Sequence, residues 1–419
     1  MRPSISLVVL NWNGREFLDA CLDSIERLEY SEERLELLFC DNGSKDGSVE
    51  YVRARHPRFR IVALDRNHGF AKGNNLGAAE ATGDWVGFLN NDMEVPKDWL
   101  QQLLTPLDTR PDLACLASRI VSWDGGTIDF IGGGVNFQGH GVQLDHGAPS
   151  SPQDVARPLL FACGGAMLIR RRLFLEVGGF DPDYFAYFED VDLGWRLNLL
   201  GHDVWYSSAA TVRHHHHGTA RNIPSHKLRV LSERNALYTI IKNYDDAHLA
   251  LVLPAALMLL NEKTLLMAGV DSAQFRIEGV QAPSTPSSQP RPKRPGALTR
   301  IRKGGLLAAL RAAYRRLRRA AAALANSPAP LVDPAASGGM PDTALSLLVA
   351  ISETAHSMES LMEKRRWVQS RRRRADAEVL GLGGVLLEDP TFGHSGYLDF
   401  QHWLVRVAGI EASFDSVKL

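Results

Sequence analysis

Two rhythms of apolar and polar positions alternate through the first 120 residues of the chain. Ile5–Leu10 is a β-branched apolar run that stops at Asn11-Trp12-Asn13-Gly14, the pattern of a buried strand running into a turn. From Phe17 to Leu28 the period changes, and Leu18, Cys21, Leu22 and Ile25 fall on one helical face. Leu35–Cys40 predicts a second strand, broken by Asp41-Asn42-Gly43-Ser44 before a helix from about Asp46 to Arg55. Arg60–Leu64 reads as a third strand, Ala71–Ala81 as a helix, and Trp85–Leu89 as a fourth strand ending at Asn90-Asn91-Asp92. Strands alternating with helices imply a parallel sheet with helices on both faces. Such sheets bind ligands beyond the carboxyl ends of their strands, which singles out Asn11, Asp41, Asn67 and Asp92.

Beyond residue 113 the strands shorten and glycines multiply, with Gly132-Gly133-Gly134 and Gly164-Gly165. Helical spacing returns at 189–200 and at 225–243, and a Pro/Ser/Gln-rich stretch from about 275 to 297 reads as a linker. The expected organisation is an α/β domain over 1–265, a linker with a basic amphipathic helix over 266–340, and a helical region of unassigned role over 341–419.

Composition changes this picture in one respect. The 45% hydrophobic and 23% charged fractions are those of a soluble globular protein, but the net charge of -1 hides an asymmetry. Residues 1–280 hold 27 Lys+Arg against 36 Asp+Glu, whereas residues 281–419 hold 20 against 12. The basic back half is expected to touch something anionic while the acidic front half carries the chemistry. Cys21, Cys40, Cys115 and Cys163 are scattered without CxxC spacing and read as reduced core residues. The N-terminal segment lacks the long apolar region of a signal peptide, and the apolar run Leu249–Leu260, interrupted by Pro254, is shorter than the roughly 20 residues a spanning helix needs. A cytoplasmic or peripheral protein is expected.

The densest chemistry lies in Phe185–Arg196, FAYFEDVDLGWR, where Glu189, Asp190 and Asp192 stand among large apolar side chains. Buried carboxylates are costly unless paired, metal-bound or used chemically, although acids also suit a helix start. Asp192 and Arg196 have the spacing of a surface ion pair. Asp41 suits either an Asx turn or a contact to a base or ribose. Asn67–Asn75, NHGFAKGNN, brings Gly69 and several amides to a strand-to-helix junction that admits a phosphate or sugar. Asp92 is a candidate oxygen ligand for a hard cation, and one of His214–His217 a candidate imidazole ligand. No GxGxxG and no GxxxxGK[ST] occurs, which disfavours dinucleotide and P-loop chemistry.

LVVLNWNG at 7–14, CDNGSKDGS at 40–48, NHGFAKGNNLGAAEATGDWVGFLNND at 67–92, GGAMLIRR at 164–171, GGFDPDYFAYFEDVDLGWR at 178–196 and the histidine run at 214–217 follow one another in this order. Together they resemble the inverting, nucleotide-sugar-dependent glycosyltransferases of family 2, in the branch rich in rhamnosyl- and galactofuranosyltransferase-like proteins, over about residues 4–245. The resemblance implies a GT-A fold: α/β, with a mostly parallel sheet sandwiched by helices. It implies that Asp41, with Asn11 nearby, contacts a uracil or thymine base, and that Asp84 lies near the ribose or diphosphate; Asn67, Gly69 and Asn75 of the strand-to-helix junction are expected on the same nucleotide. It makes Asp92 the last residue of a DxD metal motif for Mg2+ or Mn2+, with Asn90 at the first acidic position, and His214 the downstream metal or diphosphate ligand. Glu189-Asp190 matches the ED motif, with Asp190 as general base. The implied donor is a dTDP- or UDP-linked sugar, rhamnose first, and the implied acceptor a cell-surface polysaccharide or lipid-linked glycan. A nucleotidyltransferase and a catalytically degenerate scaffold are the rival classes.

From Gly279 to Val332 there are 11 Lys or Arg and no acid. Within it Leu307, Leu310, Tyr314, Leu317, Ala321 and Leu324 recur every three or four residues with arginines between, the pattern of a helix lying on an anionic membrane surface. The cluster Lys364–Arg374 is expected to add to that surface. No nucleic-acid recognition module accompanies the charge, so the expected location is the inner face of the cell membrane.

Overall fold

The computed structural model describes residues 2–151, 154–215, 223–275, 277, 339–389 and 392–419. At its centre β1 (Ile5–Asn11) lies between β2 (Leu35–Asp41) and β4 (Trp85–Asn90), with β3 (Arg60–Ala63) outside β2, all parallel. The strand register sets Asn11 beside Asp41 and Leu10 beside Asn90, so the polar strand ends arrive level at one edge. Leu7, Val8 and Val9 are fully buried, because helices cover both faces and no alternation is needed. One of those helices, α3 (Gly69–Glu80), approaches closely through two glycines. A Cβ on Gly73 would meet Leu10 Cδ1 at 2.8 Å, and one on Gly77 would meet Val8 Cγ1 at 2.6 Å.

Beyond β4 the sheet becomes mixed. β11 (Ala166–Arg170) runs antiparallel to β4, β6 (Cys115–Ser122) antiparallel to β11, and β12 (Val204–His214) parallel to β6. The end of β12 folds back on β5 (Met93–Glu94), pairing His214 with Met93. That pairing delivers His214 to Asp92, 122 positions earlier in the chain.

Helix α6 (Glu189–Leu199) is buried nearly all round. The expected surface pair Asp192–Arg196 is in fact deep in the interior. Asp192 accepts from Arg196 Nε at 2.7 Å and lies 2.9 Å from Lys242 Nζ, and Arg196 spends its other nitrogens on the carbonyls of Val177 and Gly179. Aromatic residues around a short acidic helix hid this burial from a reading of spacing alone.

Helices α7 (Ser225–Asn243) and α8 (Asp246–Met267) follow. At 22 residues, α8 exceeds the apolar run Leu249–Leu260, and by length and composition it is long enough to cross a membrane. Yet 39% of its most apolar window is buried in protein, and its Lys263 is locked between Glu233 and Asp389. The amphipathic segment expected within 266–340 lies outside the described residues.

Residues 339–419 pack on α7 and α8 through α9 (Asp342–His356) and α10 (Met358–Gln369), while β13 (Val385–Leu386) pairs with β8 (Gly133–Asn136). The basic cluster there faces largely inward. Arg365 Nη1 donates to Ile241 O and Tyr244 O at 2.7 and 2.6 Å, Gln369 Nε2 to Lys242 O at 3.0 Å, and Arg372 to Asn243 O. These satisfy the last carbonyls of α7, which a helix cannot satisfy itself. Lys364 bridges Asp181 and Asp183, and Arg374 pairs with Asp203. Only Arg366, Arg371 and Arg373 of the cluster are exposed.

Candidate active site

A cleft of about 720 Å³ opens at the carboxyl edge of β1, β2 and β4. Trp12, Asn42, Asn67, Gly69, Asn91 and Asp92 line it from the strand ends, and Glu189, Asp190 and His214 share it. Tyr187, Phe188, Ile223, Leu228 and Leu231 add an apolar wall.

The acidic pair is presented by a strained loop. Phe185 has φ 62° and ψ −63°, and Ala186 N donates back to Tyr184 O at 2.7 Å, a γ-turn of the rare positive-φ kind. Tyr187 and Phe188 are also left-handed, at φ 71° and 66°. Bulky residues hold such conformations only where the surroundings over-determine them. Here the fully buried Asn235 of α7 does so, its Nδ2 standing 2.9 Å from Tyr184 O and 2.8 Å from both Ala186 O and Tyr187 O. Arg234 Nη2 reaches Asp183 O and Tyr184 O. Gly69 meets the loop from the other side at φ +79°, and a Cβ there would fall 2.5 Å from Phe185 Cδ2.

The two acids differ in their surroundings. Burial, and then the neighbouring Asp190, push the Glu189 carboxyl well above the usual range, and its Oε2 is buried without a hydrogen-bond partner. Asp190 is raised by burial too, but the backbone N–H groups of Gly164, at 3.0 Å, and Val191, at 2.8 Å, counter it by stabilising the carboxylate. Pairs whose environments separate their pKa values divide acid and base roles, and Asp190 is the one equipped to carry charge.

Opposite chemistry gathers at Asp92 and His214. His214 Nε2 lies 3.3 Å from Asp92 Oδ2, and its Nδ1 lies 2.6 Å from Asp129 Oδ2. Burial would lower the His214 pKa, but the carboxylates of Asp129 and Asp92 outweigh it and raise it to about 9. Asp92 is 4% exposed and its Oδ1 has no hydrogen-bond partner. A carboxylate, an imidazole oriented by a second carboxylate, and an unpartnered buried oxygen form a donor set that fits a hard divalent cation.

The remaining expected residues fall into two groups. Asn11 and Asp41 are buried and do not themselves line the cleft, although their neighbours Trp12 and Asn42 do: Asn11 Nδ2 donates to Asp41 Oδ1 and Ser44 Oγ, both at 3.1 Å, and Ser44 N donates to Asp41 Oδ2 at 2.9 Å. Asp41 thus holds its own turn from three residues upstream, with both carboxylate oxygens engaged. Asn67 lines the cleft, accepting from Gly69 N at 2.8 Å and from Asn42 Nδ2 at 3.0 Å. Asn75 and Asp84 are not brought to the cleft. Asn75 exchanges two hydrogen bonds with the Phe180 backbone, joining α3 to the loop before α6. Asp84 sits at the amino end of β4, the wrong end of a parallel sheet for a ligand, where it accepts from Ser4 N and Oγ.

Four site residues escape a reading of the sequence. Asn42 donates to Gly69 O and accepts from His68 N, so the second residue of the DNGS turn, not the first, shapes the cleft wall. Asn91 ties the strand ends together by donating to Asn11 Oδ1 at 2.6 Å. Asp129 and Asn235 lie in segments with no motif; their signal is purely three-dimensional.

Comparison with known proteins identifies the family of the chain. Residues 6–178 match the family model described as glycosyl transferase family 2. The chain is 31% identical over 255 residues to an N-acetylglucosaminyl-diphospho-decaprenol L-rhamnosyltransferase of Mycobacterium tuberculosis, covering 54% of this chain and 81% of that protein. It is 29% identical over 230 residues to the O-antigen biosynthesis protein RfbC of Myxococcus xanthus, covering 52% of this chain and 18% of that one. Among solved structures, a mannosyltransferase of Pyrobaculum calidifontis in complex with GDP-Man and Mn2+ superposes with a TM-score of 0.45 at 18% identity, over 85% of this chain and 88% of that one. The protein belongs to glycosyl transferase family 2, and its α/β sheet flanked by helices is the family's GT-A fold.

Proposed function

We propose that this glycosyltransferase is inverting and moves a deoxyhexose, rhamnose first, from a dTDP- or UDP-linked donor onto a lipid-linked or cell-surface glycan acceptor, working beside the inner face of the cell membrane. The observation that carries the reading is the division of labour in one cleft: a hydrogen-bonded Asp190 beside a Glu189 whose carboxyl burial pushes upward, sharing the space with the Asp92–His214 pair. In an in-line displacement the acceptor hydroxyl loses its proton as it attacks, and Asp190 is the group placed to take it. Mg2+ or Mn2+ held by Asp92 and His214 would neutralise the charge building on the leaving nucleoside diphosphate. Asn67, Gly69 and the turn around Asp41 shape the nucleotide side. Cys163 lines the cleft, but burial pushes its thiol far above the range of a working nucleophile.

Rhamnose is supported by the mycobacterial relative's name, and a lipid-linked acceptor by the apolar wall of Ile223, Leu228 and Leu231. Galactofuranose or another hexose from UDP is the second donor reading. Incubating the protein with a panel of dTDP-, UDP- and GDP-sugars and following release of the nucleoside diphosphate tests the donor. Proton NMR of the product decides the stereochemistry. Retention of the donor's anomeric configuration sinks the inverting mechanism, and release of pyrophosphate in a separate incubation with a nucleoside triphosphate and a sugar 1-phosphate would make the protein a nucleotidyltransferase.

A further inference from the structure

Away from the cleft, exposed apolar side chains gather on α8 and α9. From Ala247 to Met258 every exposed residue of α8 is apolar: Ala247, Ala250, Leu251, Pro254, Leu257 and Met258. They form a stripe at three- and four-residue spacing, opposite the buried Val252, Ala255, Ala256 and Leu259. Next to it α9, which packs on α8, exposes Leu345, Leu348 and Val349 at 40%, 41% and 42%. Single exposed apolar residues are ordinary, but stripes on two adjoining helices mark a surface that is covered in use. We infer that this outward face of α8 and α9 docks the protein on an anionic lipid bilayer, with the two helices lying along the membrane surface.

Two observations choose a lipid surface over another protein. First, α8 has the length and hydropathy of a spanning helix, yet its Val252, Leu259, Lys263 and Thr264 are buried in protein. A helix with one face committed to a core and the other apolar lies in an interface and does not cross it. Second, the chain leaves α8 and returns ahead of α9 through a long basic stretch, with 11 Lys or Arg and no acid from Gly279 to Val332. Anionic headgroups complement such charge, whereas a second copy of this chain, itself carrying it, would be repelled. The exposed acids Asp246 and Asp342 stand at the helix starts, outside the stripes. The face also suits the acceptor proposed above, because α7, whose Leu228 and Leu231 line the cleft, packs against both helices. That last point rests on the lipid-linked reading; the first two do not.

The test is flotation of the full chain with phosphatidylcholine vesicles, with and without phosphatidylglycerol, beside the double variant Leu257→Glu/Met258→Glu and the single variant Leu348→Glu. The wild type floats with the phosphatidylglycerol vesicles and is released by high salt, and each variant binds about tenfold less while its donor binding and thermal unfolding are unchanged. Should a glutamate variant unfold, Leu257→Ser/Met258→Ser takes its place. No flotation by the wild type, or equal flotation by folded variants, overturns the inference. So does a dimer in light scattering that the variants dissolve, since a second copy then covers the face. Flotation with no preference for a lipid-linked over a water-soluble acceptor refutes only the acceptor reading.

Discussion

Replacing Asn235 by Ala is expected to disable the enzyme without touching a group in the cleft. Its amide faces three carbonyls of the loop before α6. Tyr184 O keeps the Ala186 N–H and Arg234 as partners, so the loss falls on Ala186 O and Tyr187 O. Unsatisfied acceptors cost about 1–3 kcal/mol each when fully buried and less where water enters, and these two are part-buried, which sets the expected destabilisation at roughly 1–3 kcal/mol. The loop also holds Phe185, Tyr187 and Phe188 at positive φ, each storing on the order of 1 kcal/mol or more that relaxation releases. It therefore relaxes, and Glu189 and Asp190 move with it. A displacement of about 1 Å at a reacting group costs roughly 100-fold in rate. The assay is initial-rate kinetics with saturating donor, paired with calorimetry of donor binding. Expected is a kcat about 100-fold lower with donor affinity within a factor of about three, since the strand-end side of the cleft is untouched. A folded Asn235→Ala protein with wild-type kcat and an unmoved acid limb in its pH profile would refute the clamp.

Other consequences follow from the same geometry. Asp190→Asn is expected to abolish transfer while donor binding survives, whereas Glu189→Gln, which mimics the protonated carboxyl, keeps activity within about tenfold; equal losses in both would undo the assignment of roles. Because Asp190 is raised above the ordinary aspartate value of 3.8, kcat/KM should fall on acidification through a pKa above that value, and a profile flat down to it would contradict a buried base. Asp92→Ala should lose metal-dependent donor binding in calorimetry, and unchanged donor affinity with and without Mn2+ would remove Asp92 from the metal site. Burial alone would raise Asp181, but Lys242 and Lys364 hold it well below its usual 3.8. A depressed carboxyl stabilises the fold above that value and loses its contribution as the pH falls through the folded pKa. Lys364→Met should therefore move the acid-unfolding midpoint, read by near-UV circular dichroism, to higher pH, and an unmoved midpoint would mean that the pair adds nothing.

Local pattern made the parallel half of the fold legible: apolar runs ending in Asn or Asp marked β1, β2 and β4, and their ends do meet at the cleft. The ED pair was legible because carboxylates among aromatics are rare without a use. Asp84 shows the limit of motif order, for it belongs to a conspicuous segment but enters the sheet at the opposite end. Asn75 shows another, since an amide beside glycines serves a backbone as readily as a phosphate. Asp129 and Asn235 were invisible because their partners are 85 and about 50 residues away and no periodicity encodes such distances. The inward turn of Arg365, Arg372 and Arg374 was hidden for the same reason, as charge density does not say which carbonyls an arginine meets.

The capping of α7 from the far end of the chain bears on how the enzyme comes into being. Asn235 holds the loop before α6, and α7 carries Asn235, yet Ile241 O at the end of α7 meets an arginine 124 positions downstream. During synthesis the strands, the cleft and the acidic pair all emerge from the ribosome well before that arginine does. The cleft residues therefore all precede in the chain the side chains that close over the end of α7, so the support of the loop that Asn235 holds is completed only by Arg365, Gln369 and Arg372.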